Sequence, residues 1–201
     1  MTLIERATVI HYHRYRIEHF DAGTPESLGW RGDASQLRRF EILSGLGDFS
    51  GHSILDAGCG YGDLKAYLDQ RCRGFNYLGV DQMPEFIEEA KRRWANAPDA
   101  HFVLSDFTSM PLPTSDYVIA CGSLGYRCAN PGFYFEMIAK LFAAARLAFA
   151  FNMLDAALFP PHDLLIGHNR GAVAAFCQNL CSKVQIIDGY LRDDFTVFMT
   201  R

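Results

Sequence analysis

Three glycines at alternate positions, Gly58, Gly60 and Gly62, follow a short apolar run with an embedded acid, Asp56, in the stretch ILDAGCGYGDL. A turn stripped of side chains can bend tightly and bring its backbone into contact with a ligand. Two more acids close the next two apolar runs: Asp81 ends YLGVD, and Asp106 lies in HFVLSDF. The first alternative is a nicotinamide or flavin dinucleotide, whose GxGxxG fingerprint is followed about 20 residues later by an acid for the ribose. Asp81 suits that acid, but the third fingerprint glycine is replaced by Asp63, and the extra glycine comes one residue early. An acid at a helix N-terminus opposes the pyrophosphate that the helix dipole would attract. Asp56 points the same way, so the loop favours a ligand that carries an ammonium or sulfonium and no phosphate.

The elements around these residues alternate between strand and helix. From Ser53 onward the sequence predicts SILDAG as a strand, a helix over Asp63 to Gln70, YLGVD as a strand, and a helix opened by Pro84. Pro at a first helical position, acids behind it and Lys91, Arg92 and Arg93 at the end suit both poles of the helix dipole. HFVLSD, SDYVIACG and LAFAFNML read as further strands, with a helix over Phe133 to Arg146 and another near GAVAAFCQNL. The last two strands, in KVQIIDGYL and FTVFMTR, are joined by too few residues for a parallel crossover and so predict an antiparallel hairpin. The pattern implies a doubly wound α/β fold with a mostly parallel sheet. Ahead of it, apolar Leu3, Ile4, Ala7, Ile10 and Ile17 predict one helix. Leu37, Phe40, Leu43 and Leu46 predict the inward face of a second, capped by Asp33 or Ser35 with Gln36 closing a box.

LDAGCGYG resembles the D/E-x-G-x-G-x-G motif of the class I S-adenosylmethionine-dependent methyltransferases, and the likeness runs from about Ser53 to Arg201. The resemblance implies a seven-stranded sheet in the order 3-2-1-4-5-7-6 with the last strand antiparallel, covered by the N-terminal helices as a cap. It also implies the cofactor, S-adenosyl-L-methionine. Asp56 and the backbone of Gly58, Cys59 and Gly60 would hold its methionine part, and Asp81 would accept both ribose hydroxyls. Gln82 and Met83 would lie on the adenine, Asp106 and Phe107 at its amino group, and Cys121 on the floor after the fourth strand. A single domain is expected over 1–201, with 1–50 as the helical cap and 51–201 as the Rossmann-like core. The stretch LGWRGDASQLRRFEIL is similar to small bacterial methyltransferases of unassigned substrate.

Methyl transfer needs alignment and exclusion of water more than acid or base groups, and no catalytic residue is assigned. After the fourth strand, CGSL stands where adenine and glutamine methylating enzymes carry Asn or Asp with Pro-Pro-Tyr or Pro-Phe, so a small-molecule acceptor is expected. Tyr12, Tyr15, Tyr126 and Arg127 are the candidate acceptor contacts, with His13 and His19 on the same helix. Trp30, Arg38 and Arg39 are candidates for the cofactor's carboxylate. A net charge of −4 argues against a nucleic-acid partner held by charge. The N-terminal 20 residues lack the apolar core of a signal peptide, and no run approaches membrane-spanning length. Six scattered cysteines without a CxxC pair suggest neither disulfides nor a metal site, and a cytoplasmic location is expected. Two alternatives stay open: a nicotinamide-dependent oxidoreductase, and a non-catalytic partner protein that only binds S-adenosylmethionine.

Overall fold

The computed structural model describes residues 1–201. After α1 (Leu3–His19) and α2 (Asp33–Ser44) the chain runs β1 (Ser53–Ala57), α3 (Asp63–Asp69), β2 (Asn76–Asp81), α4 (Pro84–Arg93), β3 (Ala100–Leu104) and β4 (Ser115–Ala120). It continues with α5 (Phe133–Ala144), β5 (Ala145–Leu154), α6 (Arg170–Leu180), β6 (Lys183–Ile187) and β7 (Asp194–Thr200). The strands form one seven-stranded sheet in the order β3-β2-β1-β4-β5-β7-β6. β7 pairs antiparallel with both β5 and β6, and the pairs among β1 to β5 are parallel. Between β3 and β4 the ten-residue connection holds no helix.

Residue alternation divides the core into two layers. Leu55, Ala57, Val118, Ala120, Phe149 and Phe151 pack with α5 and α6. Their strand neighbours Ile54, Tyr117, Ile119, Ala148 and Ala150 pack with residues of α2, α3 and α4. A sheet buried on both faces requires strands that are apolar throughout, which is why these runs show little polar alternation. None of the helices is long and apolar enough to cross a membrane.

The N-terminal helices depart from the apolar-periodicity reading. In α1, Leu3 and Ile4 are exposed, and the buried residues are Val9 and His13. In α2, Leu37 is exposed while Phe40 and Leu43 are buried together with the polar Gln36 and Arg39. The predicted cap and box on α2 are absent: Gly32 is the N-cap, with no side-chain hydrogen bond, and Gln36 donates to Asp63 instead. Polar partners inside the molecule decide these faces. α1 itself starts with a capping box between Thr2 and Glu5.

Candidate active site

The parallel register brings Asp56, Asp81, Asp106 and Cys121 to the same edge of the sheet, at or just beyond the carboxyl ends of their strands. In doubly wound folds that edge is where ligands bind. The glycine turn leaves β1 with Gly58, Gly60 and Gly62 all at positive φ, a conformation that disfavours side chains. The three glycines serve different ends. A Cβ on Gly58 would stand 2.5 Å from the Ser123 Cβ, and one on Gly62 would strike Trp94 and Phe102 within 2.8 Å. Gly60 donates its N–H to Asp81 at 3.0 Å and, like Gly58, lines a cavity of ≈ 970 Å³. Gly62 is thus required by packing behind the turn, which explains a glycine at the position where the dinucleotide fingerprint has none.

The ten residues that the family resemblance assigns to the cofactor all lie on this cavity: Asp56, Gly58, Cys59 and Gly60, then Asp81, Gln82 and Met83, and finally Asp106, Phe107 and Cys121. Four of its lining residues are aspartates, Asp56, Asp63, Asp81 and Asp106, and none is lysine or arginine. Asp56 is buried, accepts the Tyr77 hydroxyl on one oxygen and leaves the other, Oδ1, without a partner. Burial raises its carboxyl to about 7, the Tyr77 bond opposes this, and Asp81 and Asp63 add to it by repulsion. Burial also raises Asp81, although the N–H groups of Met83 and Gly60 hold its two carboxylate oxygens at 2.9 and 3.0 Å. Asp106 turns Oδ1 back onto the N–H and hydroxyl of Thr108, a local turn that fixes the side chain.

α1 crosses this edge. Arg6 donates to Gln82 and stands 3.9 Å from Asp106, Glu5 accepts the Ala129 N–H at 2.6 Å, and His13 Nε2 lies 2.6 Å from the Tyr126 hydroxyl. Met83, almost completely buried, packs with Tyr61 and Phe86 beneath the helix. A second cavity of ≈ 720 Å³ adjoins the first and shares Leu28, Trp30, Gly122 and Tyr126 with it. Tyr12 lines this second cavity. Tyr15 lines neither, being exposed and stacked on His19. Arg127 also lines neither, and donates to the His162 carbonyl on the surface. Arg38 pairs with Glu41 in solvent. Arg39 forms a buried pair with Asp194, which Asn152 and Tyr190 also hold, so neither arginine reaches the first cavity.

A methyltransferase-domain family model matches residues 54–146. A protein of Mycobacterium tuberculosis (strain ATCC 25618 / H37Rv) with a provisional methyltransferase name, Rv1506c, is 31% identical over 162 residues, covering 74% of this chain and 93% of that one. The chain belongs to the class I S-adenosylmethionine-dependent methyltransferases. The trans-aconitate 2-methyltransferase of Escherichia coli O6:K15:H31 (strain 536 / UPEC) is 32% identical over 113 residues, or 56% of this chain and 43% of the relative. Among solved structures, the magnesium protoporphyrin IX methyltransferase of Synechocystis PCC 6803 with bound S-adenosylmethionine superposes with a TM-score of 0.72 over 100% of this chain and 98% of its own, at 17% identity. That likeness is one of fold.

Some lining residues of this methyltransferase carry no motif. Leu28 and Trp30 come from the loop between α1 and α2, folded over the glycine turn so that a Cβ on Gly60 would meet Leu28 at 2.8 Å and one on Gly122 would meet Trp30 at 2.4 Å. The available signal was a tryptophan in an otherwise polar Gly-rich loop. His13 reaches the same cavity from α1, and only its place among aromatic residues hinted at a role.

Proposed function

We propose that this methyltransferase binds S-adenosyl-L-methionine in the aspartate-lined cavity and passes the methyl group to a small-molecule acceptor held in the adjoining one. The observation that carries the reading is the charge of the first cavity: four aspartates and no lysine or arginine line it, with an unpartnered, buried Asp56 oxygen. Such a lining costs free energy until a cation meets it, and it repels a pyrophosphate. Those residues fit the cofactor. Asp56 would take the ammonium end, the bare backbone at Gly58 and Gly60 would admit the methionine part, Asp81 would accept from the ribose, and Gln82, Met83, Asp106 and Phe107 would border the adenine. When bound, S-adenosylmethionine supplies an electrophilic methyl with a neutral thioether as leaving group. The protein then aligns the acceptor and keeps water out, with α1 and the Leu28–Trp30 loop as the cover.

The second cavity suits an acceptor with an apolar, ring-like body. Tyr12, Trp30, Tyr126 and Phe159 line it, and its buried Arg39 is already neutralised by Asp194. The acceptor set is therefore Tyr12, Trp30 and Tyr126, in a chain expected to work in the cytoplasm as one domain. Calorimetry tests the donor: S-adenosylhomocysteine should bind and NAD should not. Asp81→Ala should weaken binding by about 1 to 3 kcal/mol through lost charge-assisted hydrogen bonds. NAD binding without any response to S-adenosylhomocysteine would reverse the assignment in favour of an oxidoreductase.

A further inference from the structure

His13 and Tyr126 form a buried polar pair on the partition between the two cavities. Tyr126 lines both, His13 lines the first, and a 2.6 Å contact joins Nε2 to the phenol oxygen, linking α1 to the loop after β4. His13 is 5% exposed, with its ring edge-on to Phe86 of α4 and to the Tyr126 ring. Its Nδ1 is buried without a hydrogen-bond partner. In one of its two neutral tautomers His13 carries the ring proton on Nδ1. Nε2 is then an acceptor, and the Tyr126 hydroxyl must donate to it. With its only proton committed, the Tyr126 oxygen offers nothing but lone pairs to the cavities.

We propose that Tyr126 is the catalytic residue that receives the acceptor's proton, with His13 as the positioning residue that fixes and relays it, so that the enzyme is built for acceptors whose nucleophilic atom carries hydrogen: a phenol, alcohol or amine rather than a carboxylate. This inference rests on the methyltransferase reading above. A lone pair of the acceptor atom forms the new bond to methyl, and the C–S bond pair returns to sulfur. The acceptor proton moves to the Tyr126 oxygen as the tyrosine's own proton moves to His13 Nε2. The positive charge that began on the sulfonium thus ends on His13. Burial, with a smaller contribution from Arg16, holds this imidazole down at about 4, so at neutral pH the relay reverses once product leaves and releases the proton to water. The other ionisable groups facing the pair are Tyr12 on α1 and Asp81 at the end of β2, both of which oppose a negative charge on Tyr126. Burial raises the Tyr126 phenol further, so the residue works as a relay and not as a standing phenolate.

Three measurements on the full chain test this. Calorimetry with S-adenosylhomocysteine comes first, on the wild type, Tyr126→Phe and His13→Gln; failure of the wild type to bind removes the donor reading itself and is thereby told apart from failure of the relay. Second, nitrogen NMR of the histidine-labelled protein should show His13 neutral at pH 7 with hydrogen on Nδ1, and Tyr126→Phe should move the Nε2 signal without changing the tautomer. Hydrogen on Nε2 would overturn the proposal. Third, labelled methyl transfer is compared across matched aromatic phenols, amines and carboxylates. Turnover should be confined to the phenols and amines. Tyr126→Phe should lower kcat by about 100-fold or more with little change in KM, and its remaining rate should rise tenfold per pH unit with ionisation of the phenol while the wild-type profile stays flatter. His13→Gln, whose amide can still orient the hydroxyl, should keep KM and lose most of kcat. Methylation of the carboxylates alone, no turnover of any phenol or amine, or a Tyr126→Phe enzyme with wild-type kcat and pH profile would each overturn the proposal.

Discussion

Cofactor affinity should depend on pH through Asp56. In the ligand-free protein its carboxyl is held at about 7, chiefly by burial. A cationic ammonium placed beside it favours the carboxylate, so binding lowers that value and expels a proton. If the ligand returns Asp56 to the ordinary carboxylate value of 3.8, the protonated fraction of the free protein sets the penalty. S-adenosylhomocysteine should then bind about 25-fold more weakly at pH 5.5 than at pH 7.5, near 2 kcal/mol. The ligand's own amino group titrates at about 8, outside this window, and His13 lies below it at about 4. Calorimetry in buffers of differing ionisation enthalpy should register release of close to one proton near pH 6. Asp56→Asn should flatten the dependence. Tyr77→Phe removes the hydrogen bond that opposes the shift, and should move the midpoint upward. Equal affinity at both pH values, with no proton released, would refute the placement of the ammonium at Asp56.

Folding carries the opposite sign from that of an ordinary paired carboxylate. Because the folded value lies above the unfolded one, the stabilising contribution of Asp56 is complete below about pH 4 and is lost as pH rises through about 7. Thermal melting of the ligand-free protein should therefore show a decline over that interval that Asp56→Asn removes and saturating S-adenosylhomocysteine offsets.

The glycine turn separates into two roles that substitution can tell apart. Gly62→Ala puts a Cβ against Trp94 and Phe102 at a φ of 79°, and should cost about 1 to 3 kcal/mol in urea unfolding while the folded fraction binds cofactor normally. Weakened binding at unchanged stability would show that Gly62 faces the ligand after all. Gly60→Val should abolish binding by filling the cavity and, because its Cβ also meets Leu28 at a φ of 54°, lower stability as well; calorimetry at a temperature where circular dichroism is native reads the binding loss by itself. Arg39→Ala leaves Asp194 buried with a missing partner and should destabilise by about 3 kcal/mol; a melting temperature within a degree of the wild type would show that Asn152 and Tyr190 suffice to hold that carboxylate.

The lining of the first cavity was legible in the sequence because most of it is local. A strand end, the turn after it and an acid at the next strand end are set by hydrogen-bonded register, so Asp56, Gly58, Gly60, Asp81 and Asp106 meet wherever β1, β2 and β3 pair in order. The second cavity has no such register. Tyr12, Trp30, Tyr126 and Phe159 arrive from α1, the loop after α1, the loop after β4 and the segment after β5, and nothing in their spacing ties them together. Tyr15 shows the consequence. It shares with Tyr12 a stretch rich in aromatic residues, yet three positions along α1 set it about 60° around the helix from Tyr12, enough to leave the cavity and stack on His19 in solvent.

His13 exposes the deeper reason. Helical periodicity ranks residues by apolarity, so the reading of α1 favoured Leu3 and Ile4, both of which the structure leaves in solvent. The buried face is set instead by what lies beneath the helix: the Tyr126 hydroxyl, the Phe86 ring and the Gln82 amide. A helix that covers a polar site must turn a polar face inward, at a desolvation cost that hydrogen bonds to the site offset. Weak amphipathicity in α1 is therefore what a helix spanning a cavity should show, whereas α4, which packs on the sheet through Ile87 and Ala90, displays the regular pattern. The same polar bonds make α1 easier to release than a helix held by a broad apolar face. Hydrogen exchange should find its amides protected less than those of α4 in the free protein, and selectively slowed once S-adenosylhomocysteine is bound beneath it. Equal slowing across both helices would mean that α1 is part of the rigid core and not a cover over the site.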